Sequence, residues 1–258
     1  MVNVVRTIND EDLHAQINDI VSHAANSAFL RGDRLFRIGV SGGSMVDVLA
    51  TCLPKITTDW SKWRIFFCDE RIVEPNDQQS NLALYKSNFI GKVPVTEEQF
   101  IQVDPKLSAE DAATDYIKKI SSFFPPDRFP QFDCLLLGVG PDGHTCSLFP
   151  NHTRALEEIN MWVTWEMDAP KPPSCRISLT LPVINNARLC AFIVTGSSKA
   201  DIVKRILEVK EDLPATRVQP TDGLLYWLLD KDAGSLLDST PQSETDSTTN
   251  ESTVPEKL

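Results

Sequence analysis

Short segments that are almost uninterruptedly apolar recur along this chain of 258 residues, and segments with helical spacing lie between them. The clearest apolar runs cover residues 35–40, 64–68, 132–137 and 189–195. A strand that is apolar at successive positions is buried on both faces, as happens when helices cover both sides of a parallel sheet. The sequence therefore predicts an α/β fold, with a mostly parallel sheet and helices on both faces.

The intervening segments carry the helical pattern. In the first of them, Asn9 or Asp10 can cap a helix that Gly32 ends. Further helices are predicted over 45–53, near 80–89, from Ser108 and over about 200–209, and further strands over 100–103, 161–165 and 176–181. We expect a single α/β domain over residues 1–237. Residues 238–258, rich in Ser, Thr and Glu, offer too little apolar surface to fold and are predicted to be a disordered tail.

Composition narrows the range of partners. The formal net charge of -11 argues against nucleic acid or an anionic membrane surface, although a local basic pocket could still bind an anionic metabolite. The N-terminus lacks the basic and apolar parts of a secretory signal, and no apolar run is long enough to cross a bilayer. The six cysteines form no C-x-x-C pair, which favours free thiols in a reducing compartment. We expect a cytoplasmic protein without an obligate protein partner.

Polar clusters follow three of the predicted strands, at the end where α/β sheets bind their ligands. The first cluster is S-G-G-S, made of Ser41, Gly42, Gly43 and Ser44. Its glycines permit a sharp turn, and its hydroxyls and the N–H groups of the following helix can bind a phosphate. The alternative is an ordinary turn in which Ser44 caps the helix. Both interpretations stay open at this point.

The second cluster consists of Asp69, Glu70 and Arg71. Arg71 can hold an anionic group or a developing negative charge, and Asp69 can orient its guanidinium. A surface ion pair at a strand end is the alternative. Two more cations stand at comparable places: Lys199 opens a helix after a strand, and Arg176 begins a strand. Each could bind a ligand or be an ordinary surface or edge residue.

The third cluster is G-V-G-P-D-G-H, directly after the run at 132–137. Its glycines spell the dinucleotide fingerprint G-x-G-x-x-G, and Glu166 stands about where a ribose-binding acid is expected. However, Asp142 would repel a pyrophosphate, and Pro141 removes an N–H donor. An imidazole exchanges protons near neutral pH, so His144 can act as general acid and base, with Asp142 orienting or polarising it. A histidine that caps a helix is the alternative.

Two other kinds of hydrolytic site are disfavoured. The four histidines are spread along the chain without H-E-x-x-H spacing, so we predict no metal site. A serine-triad hydrolase of the α/β class would need a G-x-S-x-G nucleophile elbow, and the sequence contains none.

Five segments, taken in order, resemble one family. They are V-S-G-G-S, F-F-C-D-E-R-I-V, L-L-L-G-V-G-P-D-G-H-T-C-S-L-F-P, R-I-S-L-T-L-P-V-I-N-N-A-R and T-G-S-S-K-A-D-I-V-K-R-I-L. Together, over residues 10–237 or so, they closely resemble the 6-phosphogluconolactonases of the pentose phosphate pathway. The resemblance implies a Rossmann-like sheet of the group that includes glucosamine-6-phosphate deaminase and ribose-5-phosphate isomerase. It also implies hydrolysis of 6-phospho-D-glucono-1,5-lactone with no metal or organic cofactor.

The resemblance extends to single residues. His144 corresponds to the acid/base of the family, and the residues similar to those that bind the sugar phosphate are Gly42, Gly43, Ser44, Arg71 and Lys199. Arg176 falls where it could also face the phosphate. The related deaminases continue their D-G-H turn with Phe-Asn-Glu, whereas this chain continues with S-L-F-P and lacks that acid, which favours lactone hydrolysis. The alternatives are a nicotinamide-dependent dehydrogenase, a deaminase or isomerase, and a non-catalytic sugar-phosphate sensor.

Overall fold

The computed structural model describes residues 2–238, so the predicted tail beyond Asp238 lies outside the described residues. The ten strands, in chain order, are β1 (Val2–Arg6), β2 (Phe36–Val40), β3 (Trp63–Phe67), β4 (Asp69–Arg71), β5 (Phe100–Ile101), β6 (Cys134–Leu137), β7 (Val163–Glu166), β8 (Arg176–Leu179), β9 (Leu189–Val194) and β10 (Leu224–Leu229). The α-helices are α1 (Asp10–Phe29), α2 (Met45–Cys52), α3 (Asn81–Asn88), α4 (Ala109–Ser121), α5 (Thr153–Leu156), α6 (Leu181–Asn185) and α7 (Ala200–Lys204).

Seven of the strands form one sheet in the order β1-β10-β9-β6-β2-β3-β5, and every neighbouring pair is parallel. Side chains alternate between two cores. Leu136 packs into the core that α1, α2 and α3 cover, while Leu135 and Leu137 pack into the opposite core with α4, α6 and α7. Burial on both faces explains the continuous apolar runs, and it confirms the predicted α/β architecture.

Local signals place most of the helices. The Asn9 side chain accepts from the Asp12 N–H at 2.8 Å and caps α1, while the Ser108 hydroxyl accepts from the Asp111 N–H at 3.1 Å and caps α4. Helix α1 ends at Phe29, slightly before the predicted stop at Gly32. Within residues 2–238, no helix combines the length and the apolar character that a bilayer span requires.

A second, smaller sheet is a feature that the sequence reading did not foresee. Strands β4, β8 and β7 pair antiparallel in that order and lie apart from the main sheet. The predicted strands at 161–165 and 176–181 therefore belong to this sheet. Strand β4 begins one residue after β3 is interrupted at Cys68, so the same stretch of chain connects the two sheets.

The strand order creates a crevice. From β2 the chain moves to one side, through β3 and β5, and then returns through α4 to β6 on the other side of β2. The loops that follow β2 and β6 therefore lead away in opposite directions. In open α/β sheets this topological switch point is where ligands bind. The S-G-G-S turn follows β2 and the G-V-G-P-D-G-H turn follows β6, so both polar clusters meet there.

Candidate active site

A cleft of about 430 Å³ opens at this switch point. Its lining draws on segments that are distant in the sequence: the turn Ser41–Ser44 and the side chains of Asp69, Arg71, His144, Arg176 and Lys199. Of the predicted site residues, Asp142 alone does not line the cleft, and it contacts His144 instead. The parallel sheet thus brings the separate clusters together at one edge.

The turn after β6 holds a histidine–carboxylate pair. The Nδ1 atom of His144 lies 2.5 Å from Oδ1 of Asp142, so these residues, two apart in sequence, do contact each other. The Gly140 N–H donates to the His144 carbonyl at 2.8 Å and closes the turn. A Cβ at Gly140 would overlap the His144 ring, so the pair itself requires glycine at this position.

Asp142 fixes the protonation pattern of the imidazole. Burial alone would raise the pKa of Asp142, but the hydrogen bond and charge of His144 outweigh it and lower that pKa to about 2. An ionised carboxylate only accepts hydrogen bonds, so in the neutral imidazole the Nδ1 atom carries the proton. The lone pair is then on Nε2, which makes Nε2 the atom that can take a proton from water.

The dinucleotide fingerprint in this turn is a coincidence of spacing. Such a motif needs a helix that begins at the turn, but residues 141–152 form turns, and the next helix is the four-residue α5. Glu166 ends β7 in the antiparallel sheet, and its carboxylate pairs with His152 at 2.8 Å. It is therefore not positioned to bind a ribose. A nicotinamide site and a helix-capping role for His144 are both contradicted.

The two hydroxyls of the S-G-G-S turn differ: that of Ser41 is hydrogen-bonded within the sheet, whereas that of Ser44 does not cap α2. The Ser44 side chain makes no capping bond to α2, against the capping alternative, and its hydroxyl is left for a ligand. The Ser41 hydroxyl donates to the Leu136 carbonyl at 3.1 Å, so it joins β2 to β6 and cannot give the same proton to a ligand. Gly42 lies against the side chain of Asn81, which a Cβ would overlap.

Strand β4 presents the cation Arg71, which forms no ion pair with a carboxylate of the described residues. The Arg71 guanidinium donates through Nη1 to the Gln79 carbonyl at 2.7 Å, and its buried Nε finds no hydrogen-bond partner among residues 2–238. Asp69 accepts from the Ser147 hydroxyl at 2.7 Å, so the prediction that Asp69 orients Arg71 is wrong. The chain departs from that prediction because Ser147, in the turn after β6, supplies the donor to this carboxylate.

Glu70 supports the site without entering it. It is buried, and its carboxylate accepts from the N–H groups of Asn81 at 2.8 Å and Leu82 at 2.9 Å, at the start of α3. The Asn81 side chain in turn donates to the Asp69 carbonyl at 2.8 Å. Glu70 and Asn81 therefore hold α3 against β4 and the S-G-G-S turn.

Two further cations line the cleft: Lys199, which follows β9, and Arg176 of β8, which lies directly across from Arg71 of β4. The Lys199 ammonium donates to the Val139 carbonyl at 2.7 Å, and burial together with the charge of Lys171 lowers its pKa. Burial and the charge of Arg71 lower the pKa of Arg176, which is 5% exposed and lies 5.5 Å from the Phe149 ring centre. The cleft is thus locally basic in a protein of net negative charge.

Sequence reasoning missed three residues here: Lys171, Asn81 and Ser147. Lys171 stands in a proline-rich loop, six residues beyond the predicted strand at 161–165, so the strand-end argument did not find it. Asn81 and Ser147 act through contacts with Asp69 that join segments 12 and 78 residues apart. Only the folded arrangement of β4 against its neighbours reveals such contacts.

Comparison with known proteins gives a consistent result. The family model for glucosamine-6-phosphate isomerases/6-phosphogluconolactonase matches residues 8–227. The chain is 45% identical over 234 residues to the 6-phosphogluconolactonase of Rattus norvegicus, covering 88% of this chain and 90% of that protein. It is 43% identical over 236 residues to the 6-phosphogluconolactonase of Homo sapiens, covering 89% and 91%.

A solved structure agrees in fold. The crystal structure of a 6-phosphogluconolactonase from Thermotoga maritima superposes with a TM-score of 0.77 at 23% identity, covering 90% of this chain and 100% of that chain. At that identity the likeness concerns the fold, whereas the match to the family model and to the mammalian relatives spans most of the sequence. The chain therefore belongs to the glucosamine-6-phosphate isomerase/6-phosphogluconolactonase family.

Proposed function

We propose that this chain hydrolyses 6-phospho-D-glucono-1,5-lactone to 6-phospho-D-gluconate, in the oxidative branch of the pentose phosphate pathway. It is an enzyme of the carboxylic ester hydrolase class, as its family and its mammalian relatives indicate. The observation that supports the proposal most strongly is the His144–Asp142 pair, at 2.5 Å, in a cleft lined by cations. A general base beside a basic pocket suits a phosphorylated ester.

His144 is the proposed general base. Its Nε2 atom takes a proton from a water molecule, and the resulting hydroxide attacks the lactone carbonyl carbon. Asp142 stabilises the imidazolium that forms, through the contact with Nδ1. When the tetrahedral intermediate collapses, the imidazolium gives its proton to the ring oxygen, and the lactone opens. The water's proton thus reaches the leaving oxygen, and no covalent intermediate is needed.

The cations and N–H groups of the cleft are proposed to bind the phosphate and to stabilise the oxyanion. The turn Ser41–Ser44 and Lys199 are proposed to hold the phosphate, since the turn precedes α2 and the Ser44 hydroxyl makes no capping bond to that helix. Arg71 lines the cleft, and its Nε has no hydrogen-bond partner within the described part of the chain, so it is proposed to bind the oxyanion that develops at the carbonyl or the substrate's own anion. We propose no metal or organic cofactor for this reaction.

The compartment and the partners proposed for the protein follow from its cysteines and its charge. We propose a cytoplasmic enzyme that needs neither nucleic acid, a membrane nor an obligate protein partner. All six cysteines are free thiols, and all but Cys175 are buried, which suits a reducing compartment. The net charge of -11 is unfavourable for binding nucleic acid.

The decisive experiment measures acid release at fixed pH from freshly generated 6-phospho-D-glucono-1,5-lactone, with the spontaneous rate subtracted. We expect catalysed release without any added nicotinamide, and 6-phosphogluconate as the product. Ammonia or a ketose formed from glucosamine 6-phosphate would instead identify a deaminase. Binding of phosphosugars without turnover of any of these substrates would identify a sensor.

A further inference from the structure

The loop between β7 and β8, residues 167–175, contributes a cation to the cleft that neither the sequence motifs nor the mechanism above uses. Lys171 lines the cleft with an exposed side chain, next to Pro172. It comes from the antiparallel sheet, whereas Lys199 follows β9 of the main sheet. The two sheets thus each carry one lysine to the same cleft.

Arg176 fixes this loop. Its Nη2 donates to the Lys171 carbonyl at 2.7 Å, and its Nε donates to the Pro173 carbonyl at 2.9 Å. A guanidinium that holds two carbonyls of one loop sets the position of the backbone between them. These bonds use two of the three guanidinium nitrogens of Arg176, so most of its hydrogen-bonding groups bind the protein backbone and not a ligand.

The other end of the loop is anchored as well. One carboxylate oxygen of Glu166 accepts from the N–H groups of Met167 at 2.9 Å and Asp168 at 3.0 Å. Across the loop, the Ala169 N–H donates to the Ser174 carbonyl at 3.2 Å. Hydrogen bonds therefore hold the backbone of this loop at both ends and across its middle. The fixed backbone limits the region of the cleft that the Lys171 ammonium can reach.

The charge around Lys171 is unbalanced. Its ammonium lies close enough to Lys199 to contribute, after burial, to the lowered pKa of that residue, and the opposing charge of Asp142 does not offset the two effects. Within residues 2–238, neither lysine forms an ion pair with a carboxylate. Two neighbouring ammonium groups repel each other unless an anion lies between them, and a phosphate with two negative charges satisfies both.

We propose that Lys171 binds the substrate phosphate together with Lys199, and that Arg176 is a positioning residue that holds the Lys171 loop in place. This assignment rests on the proposed lactonase function. It replaces the expectation that Arg176 itself faces the phosphate. It also assigns a role to the second sheet, since β7 and β8 carry the loop from which Lys171 reaches the cleft.

Lys171→Met tests the first half of the proposal. We expect KM for the phosphorylated lactone to rise about tenfold, as for loss of one charge-assisted contact, with kcat within about twofold of the wild type. Calorimetry with inorganic phosphate should show a similar loss of affinity. The matched control is Lys106→Met, another exposed lysine that lies outside the cleft lining, and it should change neither value.

Unchanged KM and unchanged phosphate affinity in Lys171→Met would overturn the proposal. A fall in kcat without a rise in KM would also overturn it, because it would place Lys171 at the reacting carbonyl. The phosphate titration needs no turnover, so it still decides the role of Lys171 if the wild type fails to hydrolyse the lactone. That failure would count against the proposed function alone.

A double-mutant cycle tests the second half. Arg176→Met should raise KM as Lys171→Met does, but adding it to Lys171→Met should raise KM little further, because both changes remove the same ammonium. Thermal unfolding of each variant checks that the protein still folds, and Arg176→Lys, which keeps a donor for the loop carbonyls, should restore part of the affinity. Effects of Arg176→Met and Lys171→Met that multiply fully would show that Arg176 acts independently of Lys171.

Discussion

Two histidine–carboxylate pairs lie close to one phenylalanine, Phe149. The rings of His144 and His152 have their centres 4.6 Å and 5.6 Å from that of Phe149. The first pair joins Nδ1 of His144 to Asp142 at 2.5 Å, and the second joins Nδ1 of His152 to Glu166 at 2.8 Å. In residue types and in bonding atoms the two pairs are nearly the same, but only the first faces the cleft.

The two carboxylates differ in their hydrogen-bond partners and in their position in the fold. Glu166 also accepts from the N–H groups of Met167 and Asp168, and it ends a strand of the antiparallel sheet. Its pKa is lowered because these bonds and that with His152 outweigh the effect of burial. Among residues 2–238, the Asp142 side chain is bonded to His144 and to no other residue, within a turn at the carboxyl end of a central parallel strand. A histidine–carboxylate pair therefore becomes a candidate catalyst through its place at the switch point, among cations.

The largest expected effect separates the two pairs directly. His144→Ala should lower kcat for lactone hydrolysis by about 10²–10⁴-fold with little change in KM, because it removes the general base. His152→Ala is the matched control and should leave both constants near the wild-type values. Steady-state rates of acid release check both variants. Equal losses in the two variants would mean that His144 has no special role.

The location of the first pair could be predicted from the sequence. The run L-L-L before G-V-G-P-D-G-H marked a buried strand, and a polar turn at its end implied a position at the ligand-binding edge. The same logic placed S-G-G-S and Lys199. It worked because a parallel sheet converts a local pattern, an apolar run followed by polar residues, into one shared edge.

Non-local pairing is what the sequence reading missed. Strand β4 consists of three charged residues, D-E-R, and it pairs with a strand more than a hundred residues away, so no periodicity identifies it. Strand β1 is a partly exposed edge strand, V-N-V-V-R, and it pairs with β10, more than two hundred residues further along the chain. Strand β10, L-L-Y-W-L-L, had a clear apolar signal after a turn at T-D-G, and it could have been predicted.

A smaller effect is expected from a change that leaves both members of the first pair in place. In Gly140→Ala the new Cβ would overlap the His144 ring, so the ring must shift from Asp142. A displacement of about 1 Å at a catalytic group can cost about 10²-fold in rate, so we expect kcat to fall by that order. Gly138→Ala is the control, since no atom lies within 4 Å of a Cβ there. Comparable activity in the two variants would contradict a tightly placed pair.

Asp142→Asn should act more mildly on the rate. The amide oxygen can still accept from Nδ1, but it lacks the charge that stabilises an imidazolium, so kcat should fall about 10–10²-fold. The pKa of Asp142 lies at about 2 in the folded protein, below its ordinary value of 3.8. Its stabilising contribution is therefore present above pH 4 or so and is lost as the pH falls towards 2.

The free energy of unfolding of Asp142→Asn, measured at two pH values, tests the ionised state of Asp142. Urea unfolding at pH 5 and at the lowest pH where the protein still folds should show the wild type losing more free energy of unfolding than Asp142→Asn. The difference should be about 1 kcal/mol, because solvent screens a side chain that is 43% exposed. If the variant and the wild type lost equal free energy, Asp142 would not be bonded to His144 as an ionised carboxylate.

The smallest effect should come from the second pair, and it should appear in stability alone. His152→Ala removes one hydrogen bond to Glu166, which keeps its two backbone donors, so the free energy of unfolding should fall by about 0.5–1 kcal/mol. Urea unfolding at neutral pH measures this loss while kcat and KM stay unchanged. A rise in KM would instead show that the His152–Glu166 pair also sets the position of the loop that carries Lys171, since Glu166 anchors the start of that loop.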